Sequence, residues 1–358
     1  MGILASLAAV ALAALAGLTY RWTFTPYGRL DWRAALSLKL LTFDYTFKPD
    51  SSSDFELMLP INLFYPISML VPAERVRKVE DVSIPAGERS ISARVYWPES
   101  HASGDTRLPV IVYYHGGGFV TGSVKYWDAL TRALSNATSS VVVSVEYRLA
   151  PVHPYPAAVD DAHTAFEWVA ANAATLEADA QKLFVGGDSA GGNLAAVVAL
   201  RARDAGGPAI AGQLLYYPVT DPFGDYQSAR SFSDGYGLSR EGTSAFRRAY
   251  AGQVEDTRDP YLAPLHAKSH AGLPPALVVT AGFDPLTDAA KLYVGRLRDA
   301  GVPATHAHYP ETFHGFMSIR FFPQRRAALR CTSDFVRELV ANPDGPRVDA
   351  RSTRSADP

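Results

Sequence analysis

The chain has 358 residues, 47% of them hydrophobic, enough to bury the core of one large domain or two smaller ones. Its 34 Lys and Arg against 36 Asp and Glu give a formal net charge of -2, so there is no basic field to attract nucleic acid. The one cysteine, Cys331, excludes an intramolecular disulfide; there is no Cys/His cluster with zinc spacing and no Gly-x-x-x-x-Gly-Lys phosphate loop.

Ile3 to Tyr20 is uncharged and mostly Ala and Leu, slightly short of the about 20 apolar residues a membrane span needs. An uncleaved N-terminal anchor over residues 1–20 is expected. The alternative is a cleaved secretory signal ending near Ala14-Leu15-Ala16, which would leave a secreted or periplasmic protein, but no Lys or Arg precedes the apolar run. Met1-Gly2 with Ser6 also fits the myristoylation pattern. Arg21, Arg29, Arg33 and Lys39 follow the segment and argue for a cytoplasmic domain. The sequon Asn136-Ala137-Thr138 would matter only in a lumen.

Residues 21–75 form an N-terminal segment with Phe and Tyr spread through it. Strands are predicted at Val76 to Ile84 and Ser90 to Tyr96, an antiparallel start. Strands and helices then alternate: strand 108–114, helix 126–138, strand 140–147, helix 156–173, strand 182–187, helix 190–204 and strand 212–218. An aromatic-rich interruption follows from Asp221 to Tyr250. Strand 276–282, helix 288–300, strand 304–309 and helix 324–341 complete the rhythm. Such alternation gives an α/β domain over 76–341, with a mostly parallel sheet covered on both faces. Residues 342–358, rich in Pro, Gly, Ser and charge, read as a disordered tail.

Chemistry-bearing groups recur just past strand ends, the edge where open parallel sheets form sites. Gly187-Asp188-Ser189-Ala190-Gly191 puts a serine on a strand-to-helix corner, where flanking side chains would collide across the bend. His115-Gly116-Gly117-Gly118 follows the apolar run Val110 to Tyr114. Gly282-Phe283-Asp284 ends a later strand, and His314-Gly315-Phe316 follows the last one. The chain order Ser, Asp, His is that of α/β-hydrolases.

With Tyr147-Arg148-Leu149-Ala150-Pro151 and Asp284-Pro285-Leu286, these motifs resemble the hormone-sensitive-lipase group of carboxylesterases, which includes the membrane-anchored arylacetamide deacetylases. The resemblance covers roughly Val76 to Val340. Val152 departs from it, where relatives commonly carry glutamate. It implies an α/β-hydrolase fold with a helical cap, built from residues 21–75 and an insertion near 221–255. It also implies hydrolysis of short- to medium-chain esters through an acyl-serine, with no metal or organic cofactor.

On this reading Ser189 is the nucleophile, His314 the base and Asp284 the acid that orients the imidazole. Asp288 is the rival acid, but a place at a helix start explains it. Asp188 is expected to tune its loop or bond local backbone. The N–H groups of Gly117, Gly118 and Ala190 form the oxyanion hole. His115, Gly116, Gly187 and Gly191 support these motifs, and a Tyr147–Arg148 pair pins the loop beneath the site. Two alternatives stand beside ester hydrolysis: an arylacetamide or arylformamide amidase or deacetylase on the same triad, and a non-catalytic small-molecule receptor, against which the presence of His314 argues.

Overall fold

The computed structural model describes residues 13–40, 71–100, 107–252 and 254–342. An eight-stranded sheet organises them: β1 (Lys78–Ala86), β2 (Arg89–Trp97), β3 (Leu108–Tyr114), β4 (Val141–Val145), β5 (Ala178–Asp188), β6 (Gly212–Tyr216), β7 (Ala276–Phe283) and β8 (Ala304–Phe313). Their spatial order is β1-β2-β4-β3-β5-β6-β7-β8. β2 pairs antiparallel with both β1 and β4, and every other pairing is parallel.

The strand side chains divide by twos, as a pleated sheet requires. Val110, Val112 and Tyr114 of β3 enter one core with Ala158 and Phe166 of α3 (Ala157–Asn172) and Leu194 and Val198 of α4 (Ala190–Ala205). Ile111 and Tyr113 enter the other, with Leu130 and Leu134 of α2 (Val124–Thr138) and Phe335 and Val336 of α8 (Pro323–Ala341). Burial on both faces explains why β3 and β4 read as nearly unbroken apolar runs. α7 (Thr287–Asp299) packs Tyr293 and Leu297 into the first core.

β5 and β8 exceed their expected lengths by several residues. β5 starts at Ala178 rather than 182, pairing Ala178 with Leu108 before a register shift. β8 continues past 309 through an irregularity to pair Phe313 with Phe283. His314 therefore leaves the strand end directly, instead of hanging in a longer loop. The 221–250 interruption forms two helices, α5 (Gln227–Ser231) and α6 (Arg240–Ala251).

The N-terminal expectations are only partly within view. α1 (Trp32–Leu40) buries Ala34 and Ala35 in the second core, and the Asp31 N–H donates to the Glu311 carbonyl at 2.8 Å. Residues 13–22 are helical. Among the described residues no helix is long and apolar enough to cross a membrane. Residues 1–12 of the expected anchor, 41–70 of the N-terminal segment and 343–358 of the expected tail lie outside the described residues.

Candidate active site

The corner at Ser189 follows from its glycines. β5 ends at Asp188 and α4 begins at Ala190, leaving Ser189 at φ 56° and ψ −116°, a conformation L residues rarely adopt. A Cβ on Gly191 would lie 1.9 Å from the Tyr114 carbonyl oxygen, so only glycine lets the two backbones approach this closely. The strained serine is held from both sides. Its N–H donates to the Tyr216 carbonyl at 2.9 Å, and its carbonyl accepts from Asn193 and Val219, each at 3.1 Å. The buried Asn193 amide in turn donates to the Val219 and Leu262 carbonyls.

Ser189 Oγ lies 2.9 Å from His314 Nε2, and His314 Nδ1 lies 2.9 Å from Asp284 Oδ2. An ionised carboxylate can only accept, so Nδ1 carries the proton and Nε2 presents its lone pair to the serine hydroxyl. The Asp284 side chain is 0% exposed and that of His314 12%. Asp284 Oδ1 also accepts the Leu286 N–H at 2.9 Å, and the Tyr217 ring packs edge-on against the imidazole at 4.8 Å. The imidazole that faces the hydroxyl is thereby fixed in orientation.

The glycine loop faces this corner. His115 is fully buried, and desolvation pushes its pKa down to about 4, so the ring stays neutral. It bonds the Gly116 carbonyl through Nδ1 at 2.7 Å and stacks on Tyr147, whose hydroxyl donates to the His115 carbonyl at 2.7 Å. The N–H groups of Gly117, Gly118 and Ala190 donate to no acceptor among the described residues. Ala190 is the first residue of α4, where helical geometry leaves the N–H without an internal partner. Gly118 takes φ +63°, and a Cβ there would lie 2.5 Å from the Phe246 ring. Such a loop end can hold an anion but no side chain.

Beside Ser189 lies a cavity of about 70 Å³, lined by Gly118, Phe119, Phe223, Phe246 and Tyr250 among others. Phe119 and Tyr250 stack with centroids 3.7 Å apart. Residues of the 221–250 interruption therefore wall the space next to the serine.

The supporting expectations divide. Asp288 stands at the start of α7 as foreseen, and its carboxylate also accepts the Ser228 N–H of α5 at 2.8 Å. Asp188 bonds no local backbone. Its Oδ1 accepts from Gly116 N–H at 3.0 Å and Tyr113 hydroxyl at 2.7 Å, both on the neighbouring strand and its loop. Tyr147 and Arg148 do not pair with each other; Arg148 forms a two-pronged ion pair with Asp161. Among the other histidines, His266 bonds Asp221, and His306 and His308 flank Thr280. No group of three His, Cys, Asp or Glu among the described residues is placed to hold a metal ion. Sequence reasoning missed Tyr217 against the imidazole and the Phe119–Tyr250 stack. Neither carries a motif, because each contact joins distant segments.

A family model for the α/β-hydrolase fold matches residues 111–318, spanning every group just described. The chain belongs to the α/β-hydrolase family, in its hormone-sensitive-lipase group. This hydrolase is 41% identical over 247 residues to the esterase LipI of Mycobacterium tuberculosis, covering 69% of this chain and 77% of that one. It is 32% identical over 252 residues to an arylesterase of Saccharolobus solfataricus, covering 70% and 81%. Among solved structures, the hyperthermophilic esterase of Pyrobaculum calidifontis superposes with a TM-score of 0.72 at 40% identity, over 78% of this hydrolase and 90% of that chain.

Proposed function

We propose that this hydrolase is a serine carboxylesterase that cleaves short-chain carboxylic esters in two steps. The observation that carries the reading is the continuous Ser189–His314–Asp284 chain, with both links at 2.9 Å. His314 Nε2 takes the Ser189 proton as Oγ attacks the ester carbonyl, and Asp284 stabilises the imidazolium that forms. The tetrahedral oxyanion is received by the Gly117, Gly118 and Ala190 N–H groups, each donor worth roughly 2.7–4 kcal/mol in comparable sites. Collapse passes the proton from His314 to the departing alcohol and leaves acyl-Ser189. A water, deprotonated by the same imidazole, then releases the acid and frees the serine.

A cavity of about 70 Å³ lies far below the roughly 300–1,000 Å³ of pockets for drug-sized ligands, which favours short acyl groups. The esterase names of the relatives support ester over amide as the bond cleaved. The test is covalent labelling with a fluorophosphonate probe followed by peptide mapping. Modification at Ser189 that competes with substrate is expected; folded protein without a label there would overturn the reading.

We also propose that residues 3–20 attach the protein to a membrane surface, since Leu15, Leu18 and Tyr20 are exposed on the helical residues 13–22. Full-length protein is expected to float with liposomes and a form lacking residues 1–20 to remain in solution. Equal flotation of both would remove the proposal.

A further inference from the structure

The inner face of α6 turns Phe246 and Tyr250 toward the cavity beside Ser189. Arg247, between them in sequence, lines that cavity and also a neighbouring one of about 160 Å³. The two spaces share Pro222, Phe223, Thr243, Arg247 and Leu286 as common wall. The first is nearly all apolar apart from Ser189, Thr243, Tyr250 and Arg247. The second adds Asp221, Asp225, Arg230 and Arg240.

Arg247 is half-buried, yet no carboxylate pairs with it among the described residues. Its printed hydrogen bond is to the Pro222 carbonyl at 3.2 Å. The acids nearby are already engaged. Asp221 accepts the Phe223 and Gly224 N–H groups on Oδ1, and the Tyr226 hydroxyl and His266 on Oδ2. Asp225 pairs with Arg230. Desolvation, then the charges of Arg248 and Arg240, push the Arg247 pKa down, and the Asp221 charge opposes them only in part. A partly buried cation with no direct ion pair is costly, and a bound anion would offset that cost.

We propose that Arg247 is a specificity-determining residue that binds a carboxylate carried by the substrate, making short half-esters of dicarboxylic acids the favoured class. The inference rests on the esterase reading, which puts the reacting carbonyl at Ser189. The acyl chain crosses the apolar cavity, and its far carboxylate meets the guanidinium at the wall. A planar, forked donor suits a carboxylate in two-point contact.

The test compares kcat/KM for the 4-nitrophenyl half-ester of glutaric acid with that for 4-nitrophenyl pentanoate, which has the same chain length without the charge. Wild type should favour the half-ester, and added salt should reduce the preference. In Arg247→Met the ratio should fall about tenfold or more, chiefly through the KM of the half-ester, with partial recovery in Arg247→Lys. A wild-type ratio below one, or the same ratio in Arg247→Met, would overturn the assignment. Should Arg247→Met not fold, wild-type inhibition decides: glutarate must compete with the neutral ester better than pentanoate does, or the proposal fails. Pentanoate turnover that disappears in Ser189→Ala separates the two levels. Its absence from wild type defeats the esterase reading, and its presence with no charge preference defeats only the role of Arg247.

Discussion

Asp188 Oδ1 accepts the Gly116 N–H at 3.0 Å, so the residue before the serine is bonded directly to the glycine loop in which the oxyanion donors are proposed. That bond ties the serine corner to the glycine loop. Asp188→Asn keeps an oxygen in that place, whereas Asp188→Ala removes it. We expect Asp188→Ala to lower kcat about tenfold or more with little change in KM, and Asp188→Asn to retain most of the activity. Steady-state kinetics on one short ester decide this. Equal losses in both variants would assign the effect to the charge instead of the hydrogen bond.

The same carboxyl gives a stability prediction with a definite sign. Burial pushes the Asp188 pKa up from 3.8 to about 6. Between those values the native state holds a proton that the unfolded chain has released, so this group loses the fold stability as pH rises. Asp188→Asn lacks that loss. Its melting temperature relative to wild type should climb from pH 4 to pH 6 and then level off.

Three histidines act in the opposite direction. Burial holds the pKa values of His115, His306 and His308 at about 4, against 6.5 in the unfolded chain. Over that window the unfolded state binds more protons, so their contribution is complete above 6.5 and is lost as pH falls toward 4. With three such groups against Asp188, the melting temperature should fall on acidification through this range. Replacing both His306 and His308 by Asn should flatten the slope.

Gly191→Ala places a methyl 1.9 Å from the Tyr114 carbonyl oxygen. Neither backbone can yield without displacing β3 or α4, so the cost should reach about 3 kcal/mol, at the top of the usual range for overpacking. Urea unfolding measures it. A change within 1 kcal/mol or so would mean the corner is looser than its geometry.

Phe246→Ala removes a ring from the wall of the small cavity next to Ser189. The acyl-chain optimum should shift to longer 4-nitrophenyl esters, with activity on acetate reduced several-fold. An unchanged chain-length profile would place the acyl group elsewhere.

The sheet was legible because period-two burial and parallel strands leave long apolar runs, and the serine corner because only glycine fits beside it. His314 could be singled out since it alone follows the last strand. Strand ends were less legible: β5 and β8 extend through register irregularities that leave no pattern in composition. Asp188 was expected to tune its loop or bond local backbone, and its partners are 72 and 75 residues away, a distance no periodicity encodes. Arg247 stands on an amphipathic helix, and that no carboxylate among the described residues pairs with it directly is visible only once the neighbouring carboxylates are seen to be occupied.

The nucleophile proposed at Ser189 is best tested by comparing hydrolysis of 4-nitrophenyl butanoate by wild type and by Ser189→Ala, each first shown to be folded by its melting transition. Wild type should turn the ester over, and the variant should lose activity by about 10⁴-fold or more. A folded Ser189→Ala variant with activity near that of wild type would contradict it.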